Sequence, residues 1–242
     1  MRIISIFIIL LFPGIVASHG LERHFTADAG TLPGSPAYFF ERTGEWVDLN
    51  LFTVSTRAKQ QKKLELAGER LAEFRELFTD KSSREQDLRY ALGRYKKFMH
   101  ESEDMAEKII FLDGAEIRLA EDFEESSRIH EEAIVELVDA APEKLADLTG
   151  VLLETARAGN KKIFAFMVEK YQADESDIRK HQAVIQKHII LAQDRLFRET
   201  DKDIIKKVKE LLDKAQKFKQ AGLNIEAYEL ADQAKDLLFK KL

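Results

Sequence analysis

The residues that could carry chemistry in this chain are its six histidines and its many carboxylates, because it has no cysteine. His181 and His188 lie seven residues apart and would share a helix face. Metal ligands on one helix are usually three or four residues apart, so this pair is a poor site. Asp177 lies four residues before His181, a spacing that is frequent by chance. The pattern predicts no metal site here and favours solvated histidines.

A second pattern joins single histidines to neighbouring carboxylates. His100 is followed by Glu103 and Asp104, and His130 is followed by Glu131. Bundles that bind two iron ions need a Glu-x-x-His motif on two helices and two further glutamates. No histidine of this chain has a glutamate three residues before it. We therefore expect no metal-binding residue and no cofactor.

The motifs of the common catalytic classes are missing from the sequence. It has no Gly-x-Ser-x-Gly turn, no cysteine nucleophile and no glycine-rich phosphate loop. Its glutamates follow the charge-pair spacing of helix surfaces, which does not define an acid–base pair. The sequence therefore predicts a protein that is not an enzyme, with no catalytic and no cofactor-binding residues.

Charge is distributed unevenly along the chain. Residues 100–147 hold 16 acidic and 4 basic side chains, whereas residues 148–242 hold 15 acidic and 19 basic ones. An acidic middle argues against a nucleic-acid partner, which needs a basic surface. The stretch could attract cations or a basic partner. The favoured interpretation is a solvated helix face that packs near the basic C-terminal third.

The N-terminus has the order of a secretory signal. Arg2 precedes an apolar run at residues 3–12, a Pro-Gly pair follows, and small residues end the segment. Cleavage after Ser18 or after Gly20 fits the small-residue rule. An uncleaved anchor is the alternative, although about 15 residues fall short of the roughly 20 that span a membrane. This pattern predicts an extracytoplasmic protein, secreted or tethered to the outer face of the cytoplasmic membrane.

The elements that would position these side chains are helices. Ser35 and Pro36 predict a helix start, with Ser as the N-cap and Pro at the first helical position. A second helix is expected after residues 53–56, because apolar residues then recur at steps of three and four. These are Leu64, Ala67, Leu71, Phe74 and Phe78. Alternating strand patterns are absent from the sequence, which predicts an all-α multi-helix bundle.

The second half of the chain ends in a predicted helical hairpin. Gly159 and Asn160 predict a turn, Thr200 is expected to cap the first helix of the hairpin, and Gly222 to end it. A connection this short favours antiparallel helices. Small residues at 222, 227, 231 and 234 make residues 201–242 similar to one tetratricopeptide unit. The weak candidate for partner contact is a groove of this hairpin around Ala227 and Ala231.

Two short motifs lie before and within the second helix. Residues 32–38 read Leu-Pro-Gly-Ser-Pro-Ala-Tyr, and residues 67–73 read Ala-Gly-Glu-Arg-Leu-Ala-Glu. They resemble the Leu-Pro-Gly/Asp-Ser-Pro-Leu-Tyr opening and the Ala-x-x-Arg-Leu-Ala-Glu helix of a family of exported bacterial helical proteins of unknown function. A weaker similarity lies at residues 129–143. The resemblance spans residues 31–165, leaves the terminal hairpin outside and implies no activity.

The aromatic helix after the first motif has two possible roles. The two prolines should direct Tyr38, Phe39 and Trp46 toward the following helix pair, as a lid on one end of the bundle. An exposed aromatic patch for a partner is the less favoured alternative. The residues singled out as structural are Pro33, Pro36, Tyr38, Trp46, Arg70 and Leu71.

The predicted organisation has four parts. They are a signal peptide or N-terminal anchor at 1–20, a flexible leader at 21–32, a helical domain at 33–172, and C-terminal helices at 173–242 that include the hairpin 201–242. The expected function is an extracytoplasmic scaffold or adaptor that binds another protein at the cell envelope. The alternative is an envelope-stress chaperone or cation sensor that uses residues 100–147. Membrane contact is expected only through an uncleaved N-terminal segment.

Overall fold

Eight α-helices make up most of the computed structural model, which describes residues 25–80, 82–113, 117–170 and 175–239. They are α1 (Tyr38–Val47), α2 (Thr56–Thr79), α3 (Glu85–Asp113), α4 (Ile117–Ala140), α5 (Ala146–Lys170), α6 (Glu175–Leu196), α7 (Lys202–Gln220) and α8 (Asn224–Phe239). A π-helical turn at Asp48–Phe52 continues α1, and a 3₁₀ turn at Glu143–Leu145 precedes α5. The described ranges contain no strand, so the all-α bundle is confirmed. The predicted signal or anchor at 1–20 lies outside these ranges.

Local capping explains where several helices begin and end. Ser55 caps α2 as its hydroxyl accepts from the backbone N–H of Ala58, 3.1 Å away. The cap of α7 is Asp201, whose carboxylate accepts from the N–H groups of residues 203 and 204. The prediction of Thr200 as this cap is therefore wrong by one residue. A carboxylate also interacts favourably with the positive end of the helix dipole.

The start of α1 lies two residues later than predicted. Ser35 and Pro36 form a turn in which the Tyr38 N–H donates to the Ser35 carbonyl over 3.1 Å, and the helix begins at Tyr38. Before this turn, residues 25–32 are irregular but packed against the bundle. Phe25 contacts the core and Ala29 is buried, so the flexible-leader prediction needs correction for this part of the segment.

The apolar side chains form two cores that share α5. The first core lies between α2, α3, α4 and α5, and it includes the α2 stripe that the sequence predicts, with Phe78 at its edge. The second core lies between the end of α5 and helices α6, α7 and α8. Because α5 contributes side chains to both cores, it connects the core of the N-terminal helices to the core of the C-terminal helices. In the described ranges, no helix has the length and apolarity that a membrane crossing requires.

The terminal hairpin is confirmed, and its turn follows a standard helix C-terminus. Gly222 has a φ of +77°, and the N–H of Leu223 donates to the carbonyl of Phe218 over 2.9 Å. The N–H of Gly222 donates to the carbonyl of Lys219. These two bonds define a Schellman motif, which needs a left-handed residue at the Gly222 position.

The predicted turn at Gly159 and Asn160 is wrong, because α5 runs without interruption from Ala146 to Lys170. Gly159 serves helix packing. A Cβ atom at this position would lie 2.6 Å from Cζ of Phe123, so the absence of a side chain lets α4 approach α5 closely. Asn160 is buried at the same contact.

We expect Gly159→Ala to lower the free energy of unfolding by about 1–2 kcal/mol, because the clash with the Phe123 ring outweighs the better helix propensity of alanine. The matched control is Gly150→Ala, since nothing lies within 4 Å of a Cβ at that position of the same helix. This control should raise stability by about 0.5–1 kcal/mol. Urea denaturation of both variants tests the pair, and equal stabilisation by both would contradict the packing role of Gly159.

Candidate functional site

Three of the histidines that the sequence singles out lie in the core. His130, His181 and His188 are at most 5% exposed, so the expectation of solvated histidines is wrong for them. Burial lowers the pKa of His130 to about 4, and burial together with Lys235 lowers the pKa of His188. Their rings pack against aromatic side chains, His130 against Phe25 and Tyr95 and His188 against Tyr228. Of the four histidines singled out, all of them in the described ranges, only His100 has the expected exposure, and the side chain of Asp177 lies outside the described part.

The hairpin groove proposed for partner contact does not exist as an open surface. Ala227 and Ala231 are 0% exposed and belong to the second core, where α6 and α7 cover α8. The small residues allow the three helices to pack closely, and they leave no space for a partner. This prediction is therefore wrong, because a small-residue face was occupied by another helix of the same chain.

The acidic stretch 100–147 is largely paired with cations from other helices. Its carboxylates contact Lys63, Lys162, Lys180, Arg195 and Lys235, through Glu101, Glu107, Glu121, Asp139 and Glu131 respectively. Four of these five cations belong to the basic C-terminal third, as the favoured interpretation expected. That interpretation needs correction in one respect, since Glu103, Glu124 and Glu131 are buried rather than solvated.

A buried ion pair connects α4 to α8. The Nζ atom of Lys235 donates to both carboxylate oxygens of Glu131, at 2.7 and 2.8 Å, and both side chains are at most 1% exposed. Nε of Arg157 lies 3.3 Å from Glu131, and its Nη2 donates to Asp232 over 2.8 Å. Burial would raise the pKa of Glu131, but Lys235 and Arg157 outweigh it and hold the pKa below its usual value. The Lys235–Glu131 pair itself is inaccessible to solvent, whereas Arg157 and Asp232 are partly exposed.

A second buried cluster holds α1 on α2. Arg70 is fully buried, and its Nη1 donates to the Tyr38 hydroxyl over 2.8 Å while its Nη2 donates to Glu45 over 2.6 Å. The Tyr38 hydroxyl in turn donates to Glu73 over 3.2 Å. Burial raises the pKa of Glu73 to about 8, although Arg70 opposes this rise. The polar contacts of these four side chains therefore depend on one guanidinium.

The polar side of α1 as a whole faces the bundle. Tyr38, Glu41, Glu45 and Asp48 recur at steps of three and four and form one stripe. The stripe contacts three cations, since Arg70 and Arg94 reach Glu45, and Lys62 reaches Asp48 at 3.4 Å. Arg42 donates to Tyr90 of α3. The usual orientation of a surface helix, with its apolar stripe inward, is thus reversed.

The apolar side of α1 and its π-helical turn faces solvent. We call this surface the aromatic face, and it comprises Phe39, Phe40, Trp46, Leu51, Phe52 and Val54. Phe39, Phe40 and Trp46 are 71%, 75% and 60% exposed. The lid prediction is therefore wrong for these residues, and only Tyr38 points into the bundle. Of the residues singled out as structural, Pro33, Tyr38, Arg70 and Leu71 are buried, whereas Pro36 and Trp46 are exposed.

A cavity of about 640 Å³ lies beside the aromatic face, between residues 28–30, α1, the π-helical turn and α2. We call it the acidic cleft. Five carboxylates line it, together with the ammonium of Lys62 and apolar walls at Val47, Phe52 and Leu66. The carboxylates are Asp28, Glu41, Glu45, Asp48 and Glu69. Phe52 belongs to both the cleft and the aromatic face, so the two surfaces are continuous.

Part of the acidic cleft has the donor atoms of a metal site. One oxygen each of Glu41, Glu45 and Glu69 lies within 4.8 Å of the others. Arg70 contacts two of these three carboxylates, at 2.6 and 3.3 Å, and thereby offsets the negative charge that would hold an ion. Glu41 and Glu45 have a ligand spacing of four residues on α1, but Glu69 comes from α2, so the sequence gives no sign that the three carboxylates meet.

These features define the class of the protein: an all-α, cysteine-free bundle with an exposed aromatic face beside an acidic cleft. The chain belongs to the family described as domain of unknown function (DUF5667), whose model matches residues 30–236. The match includes most of the terminal hairpin, which the sequence resemblance left outside. No curated protein and no solved structure matches the chain.

Proposed function

We propose that this protein is a non-catalytic scaffold or adaptor that works outside the cytoplasmic membrane and binds another protein through the aromatic face. The observation that carries the proposal is the exposure of six large apolar side chains within residues 39–54. Contiguous apolar patches on a protein surface mark interaction sites, and aromatic residues are enriched in them.

The orientation of α1 supports this role. Ion pairs with Arg70, Arg94 and Lys62 anchor the charged side of the helix on the bundle. These ion pairs therefore keep its apolar side toward solvent. A partner that covers the aromatic face would remove this apolar surface from water without rearranging the bundle. Burial of large apolar side chains contributes roughly 1.5–3 kcal/mol for each fully buried residue.

Charge complementarity indicates what the partner offers. The aromatic face borders the acidic cleft, whose five carboxylates outnumber its single lining ammonium. A partner segment with apolar side chains flanked by lysine or arginine fits both surfaces, because like charges across an interface are strongly unfavourable. The location outside the cytoplasmic membrane is supported by the signal-like order of residues 1–20 and by the sequence resemblance to exported proteins.

The experiment is site-specific photocrosslinking in intact cells, with a benzophenone amino acid at position 39 or at position 197. Phe197 is the matched control, since it is 88% exposed at the end of α6, away from the aromatic face. We expect a discrete crosslinked protein from position 39 and not from position 197. The captured protein, once purified, should bind the full chain, and Phe39→Ser/Trp46→Ser should weaken this binding at least about tenfold.

Circular dichroism and thermal melting verify that the double variant is folded, which is expected because both side chains are exposed. An unchanged dissociation constant for the folded variant would contradict the proposal. Crosslinks from position 39 to lipid alone would also contradict it, and would assign the aromatic face to a membrane surface.

A further inference from the structure

Within the part of the chain that the structure describes, the carboxylates of the acidic cleft outnumber the cations that lie close enough to pair with them. Five carboxylates line it, and three cations lie within 4 Å of them: Lys62, Arg70 and Arg94. Arg70 is shared further with Glu73, outside the cleft. At least two of the five lining charges are therefore left over, which is an unusual arrangement for a half-enclosed space with apolar walls.

Two titrating groups in the cleft have raised pKa values. Burial alone would lower the pKa of Lys62, but Glu65, Glu69 and Asp48 outweigh it and raise the pKa above its ordinary value. Burial and Glu45 raise the pKa of Glu69, although Arg70 opposes them. The carboxylates near Lys62 favour its cationic form, whereas burial is the first cause of the Glu69 shift and the charge of Glu45 adds to it.

The Glu45 carboxylate, on the wall of the cleft, is only partly satisfied by hydrogen bonds. The Glu45 side chain is 10% exposed and lines the cleft, and its Oε2 accepts no hydrogen bond. Nη2 of Arg94 is 3.7 Å from this oxygen, which is beyond hydrogen-bond distance. A buried carboxylate oxygen without a hydrogen-bond donor costs free energy, so Arg70 and Arg94 leave the negative charge of Glu45 incompletely compensated.

The walls of the cleft determine the kind of cation. Val47, Phe52 and Leu66 supply apolar surface that a bare ion would not contact, whereas the stem of a lysine or arginine side chain would. The exposed ring of Phe52 also offers a face for a guanidinium or ammonium group. The partial neutralisation of Glu45 and Glu69 by Arg70 suits a monovalent organic cation better than a divalent metal ion.

We propose that the acidic cleft binds the cationic side chain of an arginine or lysine from the partner, with its stem on Phe52 and Leu66 and its head near Glu45 and Glu69. This inference rests on the proposed function, in which the aromatic face binds a protein. It adds the specificity determinant: the partner is recognised by a basic anchor residue placed beside its apolar contact.

The test uses n-butylguanidinium chloride, which reproduces an arginine side chain, and n-butylurea, its neutral analogue of the same shape. Backbone amide resonances of the full chain are followed by NMR during titration. We expect n-butylguanidinium to shift the resonances of Gly44, Val47, Leu66 and Glu69, and n-butylurea to leave them in place. Glu69→Gln should weaken the binding about three- to tenfold.

The matched control is Glu76→Gln, two turns after Glu69 on α2, whose side chain is exposed and does not line the cleft. It should change the affinity by less than about twofold. Equal shifts with n-butylurea, or equal affinity in the Glu69→Gln variant, would overturn the proposal. Binding of Ca²⁺ at lower concentrations with the same shifts would also overturn it and assign the cleft to a metal ion.

Failure of this inference and failure of the proposed function give different results. In one case the cleft does not bind n-butylguanidinium, while Phe39→Ser/Trp46→Ser still weakens partner binding. The aromatic face is then the binding surface, and the proposal of a basic anchor residue is wrong. If n-butylguanidinium binds but the double variant keeps its affinity for the crosslinked protein, the cleft is a cation site and the scaffold function through the aromatic face is wrong.

Discussion

Replacement of Lys235 by methionine is expected to lower the free energy of unfolding by about 3 kcal/mol. Lys235 and Glu131 are both buried, and the substitution leaves the Glu131 carboxylate with Nε of Arg157 at 3.3 Å as its remaining cationic contact. An uncompensated charge in the core is costly, whereas the methionine stem packs much like that of lysine. The pair connects α4, which contributes to the first core, with α8, which contributes to the second. The substitution should therefore loosen both cores.

Urea denaturation of three variants isolates the charge effect. Lys235→Met/Glu131→Gln removes both charges and should recover at least about 1 kcal/mol of the loss, since no buried ion is left behind. Lys161→Met is the control, because Lys161 is 57% exposed in its pair with Glu229, which connects α5 to the same helix α8. It should cost less than about 0.5 kcal/mol. A double variant less stable than Lys235→Met would refute the assignment of the loss to unpaired charge.

Replacement of Arg70 by methionine is expected to lower the free energy of unfolding by about 2–4 kcal/mol and to release α1 from the bundle. Arg70 is the donor for the Tyr38 hydroxyl and for Glu45, and it offsets part of the charge of Glu73. Because the apolar side of α1 faces solvent, little apolar burial remains to hold the helix once these bonds are lost. Loss of this anchor should therefore affect α1 before it affects the core.

Hydrogen exchange provides the measurement that separates local from global loosening. In the Arg70→Met variant, amides of Tyr38–Val47 should exchange at least about tenfold faster, and amides of α4 and α5 should change less. Arg75→Met is the control on the same helix, since Arg75 is 37% exposed and 3.6 Å from Glu136. If both variants left exchange in α1 unchanged, the guanidinium would not be the anchor. Partner binding through the aromatic face should weaken in the Arg70 variant alone.

The two ion clusters have different consequences for function. The Lys235–Glu131 cluster is enclosed by α4, α5 and α8, so its role is to fix the hairpin on the bundle. The Arg70 cluster lies under α1 and fixes the orientation in which the aromatic face and the acidic cleft are both presented. A variant that disturbs the first should alter stability, and one that disturbs the second should alter recognition as well.

The helices and many of their ends could be predicted from the sequence, because they depend on neighbours within a few residues. The stripe of α2 and the glycine stop at residue 222 are signals of this kind, and both are confirmed. Local reasoning was wrong where a residue serves a distant contact. Gly159 has the local appearance of a turn, but it lies mid-helix to admit the ring of Phe123 from α4.

The burial of the histidines on α6 could also have been predicted from the sequence. His181, Ile185, His188 and Ala192 share one apolar stripe of α6, and a histidine on such a stripe is commonly a core residue. Their polar chemistry alone predicts solvated side chains, whereas their position on the apolar stripe of the helix predicts burial. The signal was present in the periodicity.

The sequence by itself determined that the chain forms an all-α bundle without cysteine chemistry, and where most of its helices lie. Only the tertiary structure decided which side of α1 meets the bundle, because the helix has an apolar side and a charged side and its periodicity is satisfied by either. That choice is made by Arg70 and Arg94, which come from α2 and α3. The acidic cleft exists for the same reason, since its five carboxylates meet only when α1 packs on α2 through its charged side.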